Sequence, residues 1–79
     1  MVSAYIFAKI EPGKTQEIAE HLRNITEIKR ARLAFGPYDL VIEVDFETLE
    51  TLDDFVFTKI RRTPWIRDTM TVLLSKRIV

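Results

Sequence analysis

Residues 36–46 read Gly-Pro-Tyr-Asp-Leu-Val-Ile-Glu-Val-Asp-Phe, and this stretch decides the fold. After the Gly36-Pro37 breaker pair, apolar residues occupy every second position from Tyr38 onward, which is typical of a strand with one buried face. The stretch before it, 27–35, also has the composition of a strand. Because two strands joined by a short Gly-Pro turn form a hairpin, we predict an antiparallel hairpin here.

Helical and strand patterns flank the hairpin on both sides. Apolar residues at helical spacing predict one helix from about residue 14 to about residue 25 and a second that Thr48 caps and Thr63-Pro64 ends. Strands are predicted at 2–10 and within 65–78. The order strand, helix, strand, strand, helix, strand predicts one α+β domain over 1–79. It is a ferredoxin-like βαββαβ fold, with a four-stranded antiparallel sheet and two helices on one face.

The first and last strands are apolar on both of their faces. Val2, Ala4 and Ile6 alternate with Tyr5 and Phe7 in the first strand, and the last strand repeats this pattern. Two helices cover only one face of a sheet, so the other face needs a partner. We therefore predict a dimer of the α+β barrel type, in which two copies pack sheet against sheet.

Composition excludes several classes of protein. The 79 residues include 12 basic and 12 acidic side chains, so there is no basic excess of the kind that nucleic-acid binders carry. There is no cysteine and no apolar run long enough to span a membrane. The only histidine, His21, has no partner at metal-ligand or catalytic spacing. We expect a cytoplasmic protein with no cofactor, no metal and no enzyme activity.

Two motifs about 30 residues apart carry a family resemblance. Gly36-Pro37-Tyr38-Asp39 enters an apolar strand, and Thr69-Met70-Thr71 lies in the last strand after a Pro64-Trp65 turn. This pattern resembles the C-terminal effector-binding (RAM) domain of Lrp/AsnC transcription regulators over the whole chain. Trp65 departs from it, because the family usually has glycine there. The chain begins at the first strand, so we expect a stand-alone domain with no DNA-binding helix-turn-helix and no direct contact with nucleic acid.

The resemblance implies an amino-acid effector bound between subunits. Hydroxyl and backbone N–H donors suit its carboxylate, and a carboxylate suits its ammonium. It also implies a homo-oligomer, as a dimer or a larger ring such as an octamer or decamer, with full-length Lrp/AsnC regulators as further partners. The implied effector-binding residues are Gly36, Pro37, Tyr38, Asp39, Thr69 and Thr71.

Structural interpretations stand beside these roles. Gly36-Pro37 also suits a plain turn, Asp39 a turn cap, and the two threonines an ordinary strand. Alternation along a strand places Arg30 and Arg32 on one face and Lys29 on the other. Two other functions remain open, namely a small dimeric α+β barrel enzyme of the monooxygenase kind and a purely structural oligomerisation protein.

Overall fold

A computed structural model describes the whole chain, Met1–Val79. It confirms the predicted order of elements and the ferredoxin-like fold. The elements are β1 (Val2–Ile10), α1 (Thr15–Arg23), β2 (Ile28–Leu33), β3 (Leu40–Phe46), α2 (Leu49–Phe55), a π-helical continuation of α2 (Val56–Ile60), and β4 (Ile66–Leu73).

The sheet has the strand order β2-β3-β1-β4, and all of its pairs are antiparallel. In register, Ile6 lies between Ile42 of β3 and Thr71 of β4, so these three side chains point to the same face. This face packs against both helices. The buried core contains residues of β1, β3, α1, α2 and the π-helical turn, and none of β2 or β4: Ala4, Ile6, Ala8, Ile18, Leu22, Leu40, Ile42, Val44, Leu52, Phe55 and Ile60.

The second helix begins as predicted and then widens. The Thr48 hydroxyl accepts the backbone N–H of Thr51 at 3.1 Å, which is the expected N-cap. Beyond Phe55 the backbone changes to a π-helical turn, in which the Arg61 N–H donates to the Val56 carbonyl at 2.9 Å. The turn keeps both Phe55 and Ile60, five residues apart, in the core. No helix in the molecule is long and apolar enough to cross a bilayer.

A β-bulge corrects the expected placement of the basic run in β2. Ile28 pairs with Val44 and Arg30 with Glu43, so the register shifts between them. The extra residue in the bulge lets Lys29 and Arg30 both pair with carboxylates on the side of the sheet away from the helices. The prediction from simple alternation was therefore wrong for Lys29.

Candidate functional site

The sheet face away from the helices, called the open face below, has an apolar half formed by β1 and β4. The Phe7 ring lies between two tyrosines, with centroids 6.3 Å from Tyr5 and 5.8 Å from Tyr38. The Tyr38 hydroxyl reaches Met70 Sδ at 3.8 Å. Met70 is 42% exposed and Val72 37% exposed, and exposed apolar residues that lie next to one another mark interaction surfaces. No part of the chain covers this surface.

The other half of the open face is charged and internally paired. Ser3 Oγ donates to Asp45 Oδ1 at 2.6 Å, and Lys29 Nζ lies 3.1 Å from Asp45 Oδ2. Arg30 lies 3.7 Å from Glu43. The hydrogen bond from Ser3, followed by that from Lys29, lowers the pKa of Asp45 below its ordinary value. These pairs leave the β2–β3 side polar and the β1–β4 side apolar.

Asp39 anchors the loop between β2 and β3 to the end of β1. Its carboxylate accepts the Ile10 N–H at 3.1 Å, and its backbone N–H donates to the Ala8 carbonyl at 3.0 Å. Its own carbonyl accepts the Ala34 N–H at 2.9 Å. Within the loop, Gly36 has φ 139°, a conformation that a side chain would disfavour. Asp39 therefore fixes its end of the Gly36–Asp39 loop to β1 and closes the loop on Ala34.

A concavity of about 380 Å³ lies between this loop and the turn after β1. It contains two carboxylates, Glu11 and Asp39, beside the hydroxyl-bearing Thr15. Its apolar lining includes Phe35, which is fully exposed. The sequence analysis missed both residues, because Glu11 precedes a Pro-Gly pair that is typical of a turn and Phe35 ends the stretch that was predicted as a strand. The apolar part of the lining consists of Ile10, Pro12, Leu33, Ala34 and Phe35.

The six predicted effector-binding residues do not converge within one chain. Gly36, Pro37 and Asp39 share the loop, but Tyr38 extends over the open face to Phe7. Thr69 and Thr71 pair with Ala8 and Ile6, so they point to the helix side. Since β1 lies between β3 and β4, the loop and these threonines are roughly 10 Å apart. Their joint role stays a prediction.

The turn before β4 has a glycine-like backbone although it contains a tryptophan. Trp65 has φ 68°, which costs an ordinary residue about 1–2 kcal/mol. Its carbonyl accepts the Glu11 N–H at 2.8 Å, and Lys14 Nζ lies 5.3 Å from its ring centroid. Arg67 Nε is 3.3 Å from the Glu11 carboxylate. These contacts fasten the turn before β4 to the turn after β1, next to the concavity.

One further ion pair ties the π-helical turn to the loop before β2. Lys59 Nζ donates to Glu27 Oε2 at 2.7 Å, and this hydrogen bond is the main reason that the pKa of Glu27 lies below its ordinary value. His21 lines a surface depression with Lys59 and Arg62. No group of three or more His, Cys, Asp or Glu side chains is placed to hold a metal ion.

Comparison with known proteins identifies the family. The family model described as the Lrp/AsnC ligand binding domain matches residues 3–79. The chain belongs to the Lrp/AsnC ligand-binding domain family. The resemblance predicted from Gly36–Asp39 and Thr69–Thr71 is thereby confirmed at the level of the family.

Among curated proteins, the chain is similar to an HTH-type transcriptional regulator of Pyrococcus furiosus, PF1231. They are 30% identical over 74 residues, which cover 94% of this chain and 50% of the relative. The chain spans about half the length of the curated relatives it matches. Those relatives are named as HTH-type transcriptional regulators.

Solved structures agree with this assignment. The crystal structure of FFRP-DM1 has a TM-score of 0.87 and 39% identity, and the match covers 95% of this chain and all of that one. The regulator NMB0573 from Neisseria meningitidis, solved as a complex with L-Met, has a TM-score of 0.90 at 19% identity. That match covers 99% of this chain and 52% of that one, and it bears on the fold alone.

Proposed function

We propose that this chain is an amino-acid-sensing module that assembles with itself and acts in Lrp/AsnC-type regulation in the cytoplasm. One observation carries the proposal: the open face is uncovered, and the anchored Gly36–Asp39 loop lies at its end. A second copy would cover the open face, and an amino acid would bind where the loop meets that copy. Full-length Lrp/AsnC regulators are proposed as further partners.

The concavity at the loop suits the ammonium end of an amino acid better than its carboxylate end. Its two carboxylates, Glu11 and Asp39, attract an ammonium group, and Phe35 with Leu33 offers apolar contact to a side chain. Arg67 pairs with one oxygen of Glu11, and the Ile10 N–H donates to one oxygen of Asp39, so each carboxylate keeps a second oxygen as an acceptor. Asp39 is the stronger candidate because it has no cationic partner in the chain. A ligand carboxylate needs hydrogen-bond donors, and the Thr15 hydroxyl is the only side-chain donor in the lining of this concavity. We propose that the second copy supplies the remaining donors.

Calorimetric titration with each of the twenty amino acids tests the proposal, using Asp39→Asn as the critical variant. Asparagine keeps an oxygen that accepts the Ile10 N–H but removes the charge, so the loop stays anchored while the ammonium loses its partner. We expect one or a few amino acids to bind the native chain, and Asp39→Asn to bind them at least about tenfold more weakly, as loss of a charge-assisted hydrogen bond implies.

Asp54→Asn serves as the matched control, because Asp54 lies on α2, away from the loop, and its side chain makes no ion pair. It should bind like the native chain. No heat with any amino acid would contradict the sensing function. Equal binding by Asp39→Asn and the native chain would contradict the role of Asp39 and leave the sensing function standing.

A further inference from the structure

The helix side of the sheet is not fully covered, because α1 does not pack over the edge strand β2. Ala31 and Leu33 pair with buried residues of β3, so their side chains lie on the face that carries the core. Even so, no residue of β2 belongs to the core, and Leu33 is 62% exposed. A groove of about 380 Å³ therefore lies between α1 and β2. This volume is within the range of roughly 300–1,000 Å³ that is typical of small-molecule sites.

Small side chains in the middle of both walls keep the groove open. Thr15, Ala19 and Arg23 are spaced four residues apart, so they form one stripe along α1, and this stripe is the helical wall. Ala31 occupies the middle of the other wall. Thr15 and Leu33 also line the neighbouring concavity, so the beginning of α1 lies beside the end of β2 and Arg23 lies at the opposite end of the groove. The apolar floor consists of Ile10, Ile18, Leu22, Ile25, Ile28 and Leu40.

The charged residues around the groove are all basic. Lys29 and Arg30 are paired with carboxylates of β3 on the open face. Arg32 lies on that face too, because it pairs with Val41. Arg23 has no carboxylate partner in the chain, and no acidic side chain lines the groove. The free charged group of the groove is therefore one guanidinium, whose planar fork suits a carboxylate.

We infer that the groove between α1 and β2 is a second ligand site, which takes an aliphatic monocarboxylic acid of medium chain length. The Arg23 guanidinium holds the carboxylate, and the hydrocarbon chain lies between Ala19 and Ala31 and extends toward Leu33. From Ile28 to Leu33 the strand spans about 17 Å, which limits the length of the chain. An ammonium group finds no carboxylate here, so the groove rejects amines and discriminates against the zwitterionic amino acids proposed for the neighbouring concavity.

Calorimetric titration with octanoate tests the inference, together with the shorter acid butanoate. Each methylene that enters an apolar site should tighten binding by up to about fourfold, so octanoate should bind at least about tenfold more tightly than butanoate. Octylamine has the same chain with the opposite charge, and we expect it to bind at least about tenfold more weakly than octanoate. No binding of octanoate, or equal binding of octylamine, would overturn the inference.

Two variants change the groove in different ways. Ala31→Phe fills its middle, and because Ala31 is exposed, the larger side chain displaces no core residue. Arg23→Gln removes the free cation. Both should weaken octanoate binding at least about tenfold, with thermal unfolding showing that each variant is folded. Arg61→Gln is the matched control and should bind octanoate like the native chain, because Arg61 also lacks a carboxylate partner but lies outside the groove, against Phe57. Native-like binding by either Ala31→Phe or Arg23→Gln would overturn the inference.

Methyl resonances locate the bound acid independently of those variants and of amino-acid sensing. In NMR spectra of the native chain, octanoate should shift the methyl signals of Ala19 and Ala31 in the groove. The methyl signals of Ala34 in the concavity and Met70 on the open face should not move. Shifts at Ala34 or Met70 without shifts at Ala19 and Ala31 would place the acid elsewhere and overturn the inference. The amino-acid function is tested separately by the Asp39→Asn titration.

Discussion

The two faces of the sheet differ in how far their apolar side chains are buried. On the helix side, Ala4, Ile6 and Ile42 have no exposed surface at all. On the open face, Phe7 and Val41 are only half-buried, and the apolar side chains of β4 are more exposed still. Strand alternation supplies apolar residues to both faces of β1, but two helices can cover only one of them. The helix-side core is completed within one chain, whereas the open face is the surface that we propose a second copy covers.

The largest expected effect compares Ile42→Ala with Val41→Ala, neighbours in β3 on opposite faces. Ile42 is fully buried, so its truncation should lower the free energy of unfolding by about 3 kcal/mol. Val41→Ala should lower the free energy of unfolding by about 1 kcal/mol or less in dilute solution. Because a second copy would bury Val41, the loss of unfolding free energy caused by Val41→Ala should grow with protein concentration. Denaturant unfolding measures the free energy of unfolding of each variant. Equal losses for the two variants in dilute solution would contradict the contrast between the faces.

A smaller effect concerns pH and the charged half of the open face. The pKa of Asp45 and that of Glu27 are lowered in the folded chain, so both carboxylates bind protons more readily when unfolded. Their contribution to stability is therefore present above the ordinary carboxyl pKa of about 4 and is lost as pH falls through the lower folded values. Thermal unfolding at decreasing pH should show this loss.

Ser3→Ala provides the matched test of that effect. It removes the main hydrogen bond that lowers the pKa of Asp45 and should flatten part of the pH dependence. Thr58→Ala is the control, because the Thr58 hydroxyl contacts only the Asp54 backbone carbonyl. This variant should show the same dependence of stability on pH as the native chain. If the stability of Ser3→Ala depends on pH as that of the native chain does, Asp45 does not contribute to the pH dependence as described.

Much of the fold was predictable from the sequence, because it follows from local patterns. The alternation from Tyr38 to Phe46, the Thr48 cap and the Thr63-Pro64 stop each act within a few residues. The β2 bulge was not predictable, since it depends on how Lys29 meets Asp45 across the sheet. The π-helical turn was missed because Phe55, Val56 and Ile60 fit ordinary helical spacing closely enough.

The candidate site was only partly predictable. The Gly36–Asp39 loop was found, but the Asp39 carboxylate accepts the N–H of Ile10 on β1 rather than an N–H of its own turn. Glu11 and Phe35 meet beside it only after the chain has folded. Trp65 has the left-handed backbone that glycine favours, and this could not be predicted because contacts with Glu11 and Lys14, distant in sequence, surround it.

The central claim is that a second copy covers the open face, and the mass of Phe7→Lys in solution tests it most directly. Phe7 lies at the centre of the apolar half, so a lysine there places a charge in the proposed interface. Phe57→Lys is the control, because Phe57 is an exposed aromatic on the helix side. By light scattering after size exclusion, we expect the native chain and Phe57→Lys to exceed the 9.3 kDa of one chain, and Phe7→Lys to fall to a smaller, still folded species. A native chain that stays at 9.3 kDa, or a folded Phe7→Lys with undiminished mass, would contradict the account.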